Sequence, residues 1–185
     1  LNALKKLGAE ISLKNGYIEA RSKGLIGANI KFEGITVTGT ENLMMAASLA
    51  EGETILSNVA KEPEISDLAD FLNSMGANII GAGTDEIRIK GVKRLNGTTF
   101  KIPADRIEAG TYLIAAALTN GKITINKIDS KRMDAILLNL QKAGAHIISN
   151  NQSITLDMRD NKIMPVDIRS EERRGGKECR SRWSP

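Results

Sequence analysis

The sequence predicts a repeated α/β fold in which two helices and a small sheet recur as one unit, helices inside and sheets outside. Two observations carry this. "LKKLGAEI" (Leu4–Ile11), "LNSMGANI" (Leu72–Ile79) and "LQKAGAHI" (Leu140–Ile147) share the pattern L-x-x-x-G-A-x-I, and their Gly-Ala pairs at 8–9, 76–77 and 144–145 stand 68 residues apart both times. Upstream, "MMAASLAEGETILSNV" (44–59) parallels "LIAAALTNGKITINKI" (113–128). One unit thus occurs twice in full, and residues 1–33 read as the end of an earlier copy.

Each element follows from its residues. "ITVTGTENLMMAASLAEG" (35–52) passes from β-branched residues into a small-residue apolar run, as a strand feeding a helix does. Thr38-Gly-Thr-Glu41 and Asp105-Arg-Ile-Glu108 match a capping box, a short polar cap with Glu three residues on. The helices that follow are rich in Ala, Leu and Met and end near Gly52 and Gly121. Few charges follow their first turns, which predicts burial on most sides and places these helices inside. Alternating strands come next, "ETILSNV" and "KITINKI". A second helix starts at Glu62-Pro63 and at Asp129-Ser130, where proline suits the first turn. In its first copy Ile65, Leu68, Leu72 and Met75 recur on one face. Gly76 and Gly144 stop these helices, as a left-handed glycine does. Two strands close each unit, "ANIIGAG" with "DEIRIKGV" and "AHIISNN" with "QSITLDM". Between the full units, "TTFKIPADR" (98–106), with Pro103, is the candidate domain crossover.

Composition narrows the function classes. The 185 residues allow one ordinary domain or two small ones. No uninterrupted run of ~18 apolar residues exists, so no segment reads as a membrane span. The first residue is Leu1, and "LNALKKLGA" reads as the end of a helix without the order of a signal peptide, which predicts a start inside a larger protein. Of the net charge of +4, half sits in residues 170–185, with five Arg/Lys against three Glu; the other 169 residues hold 21 basic and 19 acidic side chains. That balance, with only 3% aromatic residues, argues against nucleic-acid binding. The single cysteine, Cys179, rules out a disulfide framework within the chain. From Arg169 the segment "RSEERRGGKECRSRWSP" loses all apolar periodicity and resembles the translation of a sequencing-library adapter. Residues 169–185 are expected to be a non-native, disordered tail, and Cys179 and Trp183 enter no functional argument.

Three places could carry chemistry, each with a plainer reading beside it. Thr36-Val37-Thr38-Gly39 lie just before the inner helix, where backbone N–H groups, the helix dipole and two hydroxyls suit an anion such as phosphate; a self-satisfied capping box explains them equally. Glu62 and Glu64 flank Pro63 at a helix start, as cleft carboxylates or as acids stabilised by the dipole alone. Asp105, Arg106 and Glu108 stand at the crossover, as ligands of an interdomain cleft or as a cap with an ion pair. "GAGTDE" (81–86) is read as a hairpin turn, since Glu86 replaces the third glycine of a dinucleotide fingerprint and a strand follows. His146, the only histidine, lies in a strand without acidic or Cys neighbours and reads as a structural residue.

"TVTGTENLMMAASLAEGETI", "EPEISDLADFLNSMGA", "GAGTDEIRIKGV" and "DRIEAGTYLIAAAL" resemble the UDP-N-acetylglucosamine 1-carboxyvinyltransferase family over residues 1–168. The resemblance implies an incomplete enolpyruvyl transferase fold, an inside-out α/β barrel of βαβαββ units. Residues 1–103 would be the later part of the first domain and residues 104–168 the first unit of the second. The activity implied moves the enolpyruvyl group of phosphoenolpyruvate to the 3-hydroxyl of UDP-N-acetylglucosamine in the cytoplasm, without a cofactor or required metal, in a protein that is monomeric when whole. Its partners would be those two small molecules, with no nucleic acid and no membrane. Thr36, Val37 and Thr38 match the family's loop at the nucleotide-sugar diphosphate; Gly34 stands where the family often has lysine. The family's loop cysteine, its Lys-Asn pair and its uridine-binding arginine segment would precede Leu1, and its aspartate would follow "PVDIR". Catalytic residues are therefore expected outside the chain, which alone would be inactive. A non-catalytic repeat module that binds a phosphorylated ligand or protein is the alternative.

Overall fold

The computed structural model of the chain describes residues 1–168; the tail from Arg169, with the expectation made of it, lies outside the described residues. They fall into two compact units, Leu1–Pro103 and the segment from Ala104 on. The first opens with a short helix, α1 (Asn2–Lys6), and a hairpin of β1 (Glu10–Lys14) and β2 (Tyr17–Arg21). Asn15 and Gly16 join the two strands with φ of 50° and 82°, the two left-handed positions of a type I′ turn. Then β3 (Asn29–Lys31), α2 (Val37–Ala47), β4 (Glu53–Ser57), α3 (Pro63–Ser74), β5 (Asn78–Ile80) and β6 (Glu86–Lys90) make one βαβαββ unit. Its sheet runs β3-β4-β6-β5, with β3 parallel to β4 and the other pairs antiparallel. Met44 of α2, Leu56 of β4, Ile65 of α3 and Ile87 and Ile89 of β6 are fully buried in one core. Phe100, in the crossover segment, packs its ring 5.1 Å from that of Phe71 on α3.

The second unit repeats this order with one place empty. It contains α4 (Arg106–Leu118), β7 (Lys122–Asn126), a 3-10 turn (Ser130–Met133), α5 (Asp134–Lys142), β8 (His146–Asn150) and β9 (Ser153–Asp157). The sheet runs β7-β9-β8, antiparallel throughout. No described strand lies beside β7 as β3 lies beside β4. Leu113, Met133, Ile154, Leu156 and Met158 form its core. The repeated α/β class therefore holds, and the described strands form separate sheets without barrel closure.

The Gly-Ala pairs mark three copies of one helix ending. Gly8, Gly76 and Gly144 have φ of 91°, 98° and 99°. Their N–H groups donate to Lys5, Asn73 and Gln141 carbonyls, and the following alanines donate to Leu4, Leu72 and Leu140 at 3.0 Å each. This is the Schellman pair of bonds, in which the carbonyl four residues before each glycine accepts the closing bond.

Three local expectations are corrected. The helix begins earlier than the β-branched run suggests: Val37 and Thr38 are helical, and the strand lies upstream at Asn29–Lys31. The cap of α2 is Thr36, not Thr38, so Glu41 falls too deep in the helix to close a box. Nor are α2 and α4 buried on most sides. Met45 of α2 and Leu49, just past its end, are 46% and 54% exposed, and Tyr112 and Leu118 of α4 are 56% and 66% exposed. Each helix turns one face into its own unit and leaves an apolar face open.

Candidate functional site

The start of α2 is built by a network that ties the helix to two strands. Thr36 is extended, with φ −146° and ψ 122°, and its Oγ1 accepts from the Gly39 N–H at 3.2 Å. Its carbonyl accepts from the Thr40 N–H at 3.0 Å and from the Thr40 hydroxyl at 2.8 Å. The fully buried Thr40 Oγ1 in turn accepts from the Ala60 N–H at 3.2 Å, beyond the end of β4. The Asn58 amide donates to the Phe32 carbonyl at 2.9 Å, closing the other side. What remains is a pair of donors. Among the described residues the N–H groups of Val37 and Thr38 have no hydrogen-bond partner, as the first N–H groups of a helix lack one unless capped.

Thr36 and Gly39 line a cavity of about 830 Å³ with Lys6 of α1, Lys31 of β3, Glu33 and Asn42; Leu4, Phe32 and Leu43 supply apolar wall. Neither Lys6 nor Lys31 is in an ion pair among the described residues. The cavity thus combines Thr36 and Gly39 of the helix start with two cations and an amide beside apolar surface, which suits a ligand with an anionic part and a carbon skeleton. Val37 and Thr38 stand between Thr36 and Gly39 in sequence but do not line it. Lys6, Lys31 and Asn42 had no signal in the sequence. Lys6 comes from the end of α1, Lys31 from the end of β3 and Asn42 from α2 itself.

The carboxylates sit in other settings. Glu62 caps α3 by position, with Pro63 at its first turn, but its side chain makes no capping bond. Its Oε2 is buried without a hydrogen-bond partner, two residues beyond the amide held by Thr40. Glu64 has an interaction partner, and neither glutamate lines the cavity at α2. In the second unit, Asp105 caps α4 and accepts from the N–H groups of Ile107 at 2.8 Å and Glu108 at 3.1 Å. Arg106 has an interaction partner. Asp105 and Glu108 line a cavity of about 460 Å³ with Tyr112, Thr124 and Asn126. The two helix starts therefore differ in kind. A neutral threonine leaves donors open at α2, whereas a carboxylate occupies them at α4, which makes only the former receptive to an anion.

His146 is exposed on β8 and stands opposite Asp157 of β9, an acidic neighbour that sequence proximity did not show. The Arg159 guanidinium donates two hydrogen bonds to that carboxylate and its backbone N–H a third, and with Lys122 beside it they hold Asp157 well below the usual carboxylate range. Among the described residues no group of three or more His, Cys, Asp or Glu is placed to hold a metal ion. No helix among them is long and apolar enough to cross a membrane.

A βαβαββ unit followed by a partial copy is the architecture of the enolpyruvyl transferase class, and comparison with known proteins agrees. The family model described as EPSP synthase (3-phosphoshikimate 1-carboxyvinyltransferase) matches residues 1–172, and the chain belongs to that family of enolpyruvyl transferases. Its similarity within the family is to UDP-N-acetylglucosamine 1-carboxyvinyltransferases. That of Hydrogenovibrio crunogenus is 51% identical over 168 residues, 91% of this chain and 40% of that protein. That of Aeromonas hydrophila is 50% identical over 171 residues, 92% of this chain and 41% of that protein. The chain thus spans about two fifths of these curated relatives. Among solved structures, the enolpyruvyl transferase NikO from Streptomyces tendae matches with a TM-score of 0.73 at 18% identity, over 84% of this chain and 40% of that one. EPSP synthase from Acinetobacter baumannii matches with a TM-score of 0.61 at 20% identity, over 86% of this chain and 38% of that one. These two matches speak for the fold alone.

Proposed function

We propose that this chain is part of an enzyme that transfers the enolpyruvyl group of phosphoenolpyruvate to the 3-hydroxyl of UDP-N-acetylglucosamine, opening peptidoglycan synthesis in the cytoplasm. The observation that carries the reading is identity of about one half, over nine tenths of the chain, to proteins named for that activity. In this reading residues 1–103 belong to the first domain and residues 104–168 open the second. The start of α2 holds the nucleotide-sugar diphosphate through the N–H groups of Val37 and Thr38. Thr36 acts through the helix cap, its Oγ1 accepting from the Gly39 N–H. Glu62, Glu64, Asp105, Arg106 and Glu108 face the substrate cleft of the whole protein. The chain alone does not turn over, because the groups that must stabilise charge and move protons at the enolpyruvyl carbon are contributed by the rest of the protein.

The test is Val37→Pro in the full-length parental protein. Thr36 already has the extended backbone a residue before proline requires, and position 37 is the first helical residue, where proline is tolerated best. The fold should therefore survive while one donor is removed. Binding of UDP-N-acetylglucosamine, followed by calorimetry, should weaken by ~1.5–3 kcal/mol, the worth of one charge-assisted hydrogen bond. Thr36→Ala should change binding far less. A folded Val37→Pro protein that binds as tightly as its parent would reduce this helix start to a cap. Phosphate release by the isolated 185-residue chain above blank would overturn its assignment as an inactive part.

A further inference from the structure

We propose that Asn15 and Asn96 are sites of spontaneous deamidation in this protein, while the third Asn-Gly pair, Asn120-Gly121, is protected by its backbone. The chain holds three such pairs, at 15–16, 96–97 and 120–121. In the reaction the backbone nitrogen of the glycine attacks Cγ of the asparagine. A C–N bond forms, the Cγ–Nδ2 bond breaks, and the proton from the glycine N–H leaves with the amide nitrogen as ammonia. Water then opens the cyclic imide at either carbonyl, giving aspartate or isoaspartate. Glycine favours the step because no side chain shields its nitrogen. The step requires that nitrogen to be unengaged and the backbone around it free to rotate.

The structure separates the three pairs by whether the glycine nitrogen is engaged. The Gly121 N–H donates to the Ala116 carbonyl at 2.8 Å, the bond that closes α4, with Asn120 at φ 49° as the left-handed residue of that ending. Attack there first requires the helix end to open. Among the described residues the N–H groups of Gly16 and Gly97 have no hydrogen-bond partner. Both asparagines before them are exposed, and no heavy atom lies within 4 Å of where a Cβ on either glycine would stand. At Gly121 the Ala116 carbonyl and the Thr119 hydroxyl stand 3.4 Å from that point. The Asn96 N–H is held by the Met75 carbonyl at 2.8 Å, which anchors the asparagine backbone but leaves the next nitrogen open. Asn15 turns a hairpin whose strands contain no buried residue, so local opening costs little. Conversion at Asn15 would place a negative charge beside Lys14, and isoaspartate would add a methylene to the main chain of a two-residue turn, breaking the Lys14↔Tyr17 register.

The experiment incubates the full chain at mildly alkaline pH, native and in urea, and follows each site by peptide mapping with mass spectrometry and isoaspartate-specific methylation. Each native rate is divided by its own rate in urea, which removes local sequence effects. Asn120 should be slowed by folding about threefold to tenfold more than Asn15 or Asn96, the range one neutral hydrogen bond supplies. Equal slowing at all three sites, or conversion of Asn120 ahead of either open site, would overturn the assignment. So would native protection of Asn15 or Asn96 as strong as that of Asn120.

Discussion

Asp157 closes β9 with both carboxylate oxygens near Arg159, at 3.0 Å from Nε and 2.7 Å from the guanidinium terminus, and with Lys122 at 3.4 Å. Its folded-state pKa is depressed, chiefly by the Arg159 hydrogen bonds. A depressed carboxylate contributes stability that is complete above its unfolded value, about 3.9, and is lost as pH falls from there toward the folded value. Asp157→Asn should therefore lower the urea midpoint at neutral pH, with the difference from the parent shrinking between about pH 4 and pH 2. A constant difference across that range would assign the effect to packing. The pair is solvent-accessible, so the loss is small. Thr40 presents the opposite case, a buried hydroxyl that both donates to Thr36 and accepts from Ala60. Thr40→Val keeps the volume but leaves the Ala60 N–H unsatisfied, and should cost about 1–3 kcal/mol in chemical unfolding. This residue also explains a misplaced boundary. Thr36 and Thr38 are equally good caps by composition, and what selects Thr36 is a bond from Thr40 to a loop twenty residues away, invisible to local pattern. Asp105 was legible because its cap closes within four residues.

At the scale of elements, the three Gly-Ala endings are one device in three environments, which makes them a controlled series. All three glycines require left-handed φ, so alanine should cost each about 1 kcal/mol from backbone strain. Their surroundings then diverge. A Cβ at Gly8 would meet nothing within 4 Å, and one at Gly76 only the Asn96 amide at 3.5 Å, whereas at Gly144 it would come 2.9 Å from the Lys162 carbonyl. Gly144→Ala should thus lose more than Gly76→Ala or Gly8→Ala, read as the shift in urea midpoint of the whole chain. Equal losses would mean that the Lys162 segment gives way freely. These endings were legible in the sequence because a Schellman bond needs only glycine and a carbonyl five residues before the next N–H. The Gly121 ending was less so: Asn120 takes the left-handed place, and glycine follows it. The cavity at α2 was not legible at all in Lys6 and Lys31, which come from α1 and β3 and join Thr36 only in the folded unit.

For the molecule as a whole, the sequence of α2 and α4 records more burial than the described residues provide. Both helices are apolar around most of their circumference, yet Met45, Tyr112, Ile114 and Leu118, with Leu49 in the turn that follows α2, are 45–66% exposed. Each unit has its own core behind these helices, so the open faces contribute little to holding this chain together. They do present adhesive surface to solvent. Leu49→Gln combined with Leu118→Gln should therefore leave the unfolding free energy of the chain within about 0.5 kcal/mol of the parent, as surface substitutions do. The same double variant should bind less of an apolar fluorescent dye and should remain soluble at higher concentration. As a contrast, Leu56→Ala, in the closed core of the first unit, should cost about 2–5 kcal/mol through lost burial and a residual cavity. A loss for the double variant comparable to that of Leu56→Ala would show that α2 and α4 are covered in solution after all. Unchanged stability with reduced dye binding would place the burial written into these helices outside what residues 1–168 fold to supply.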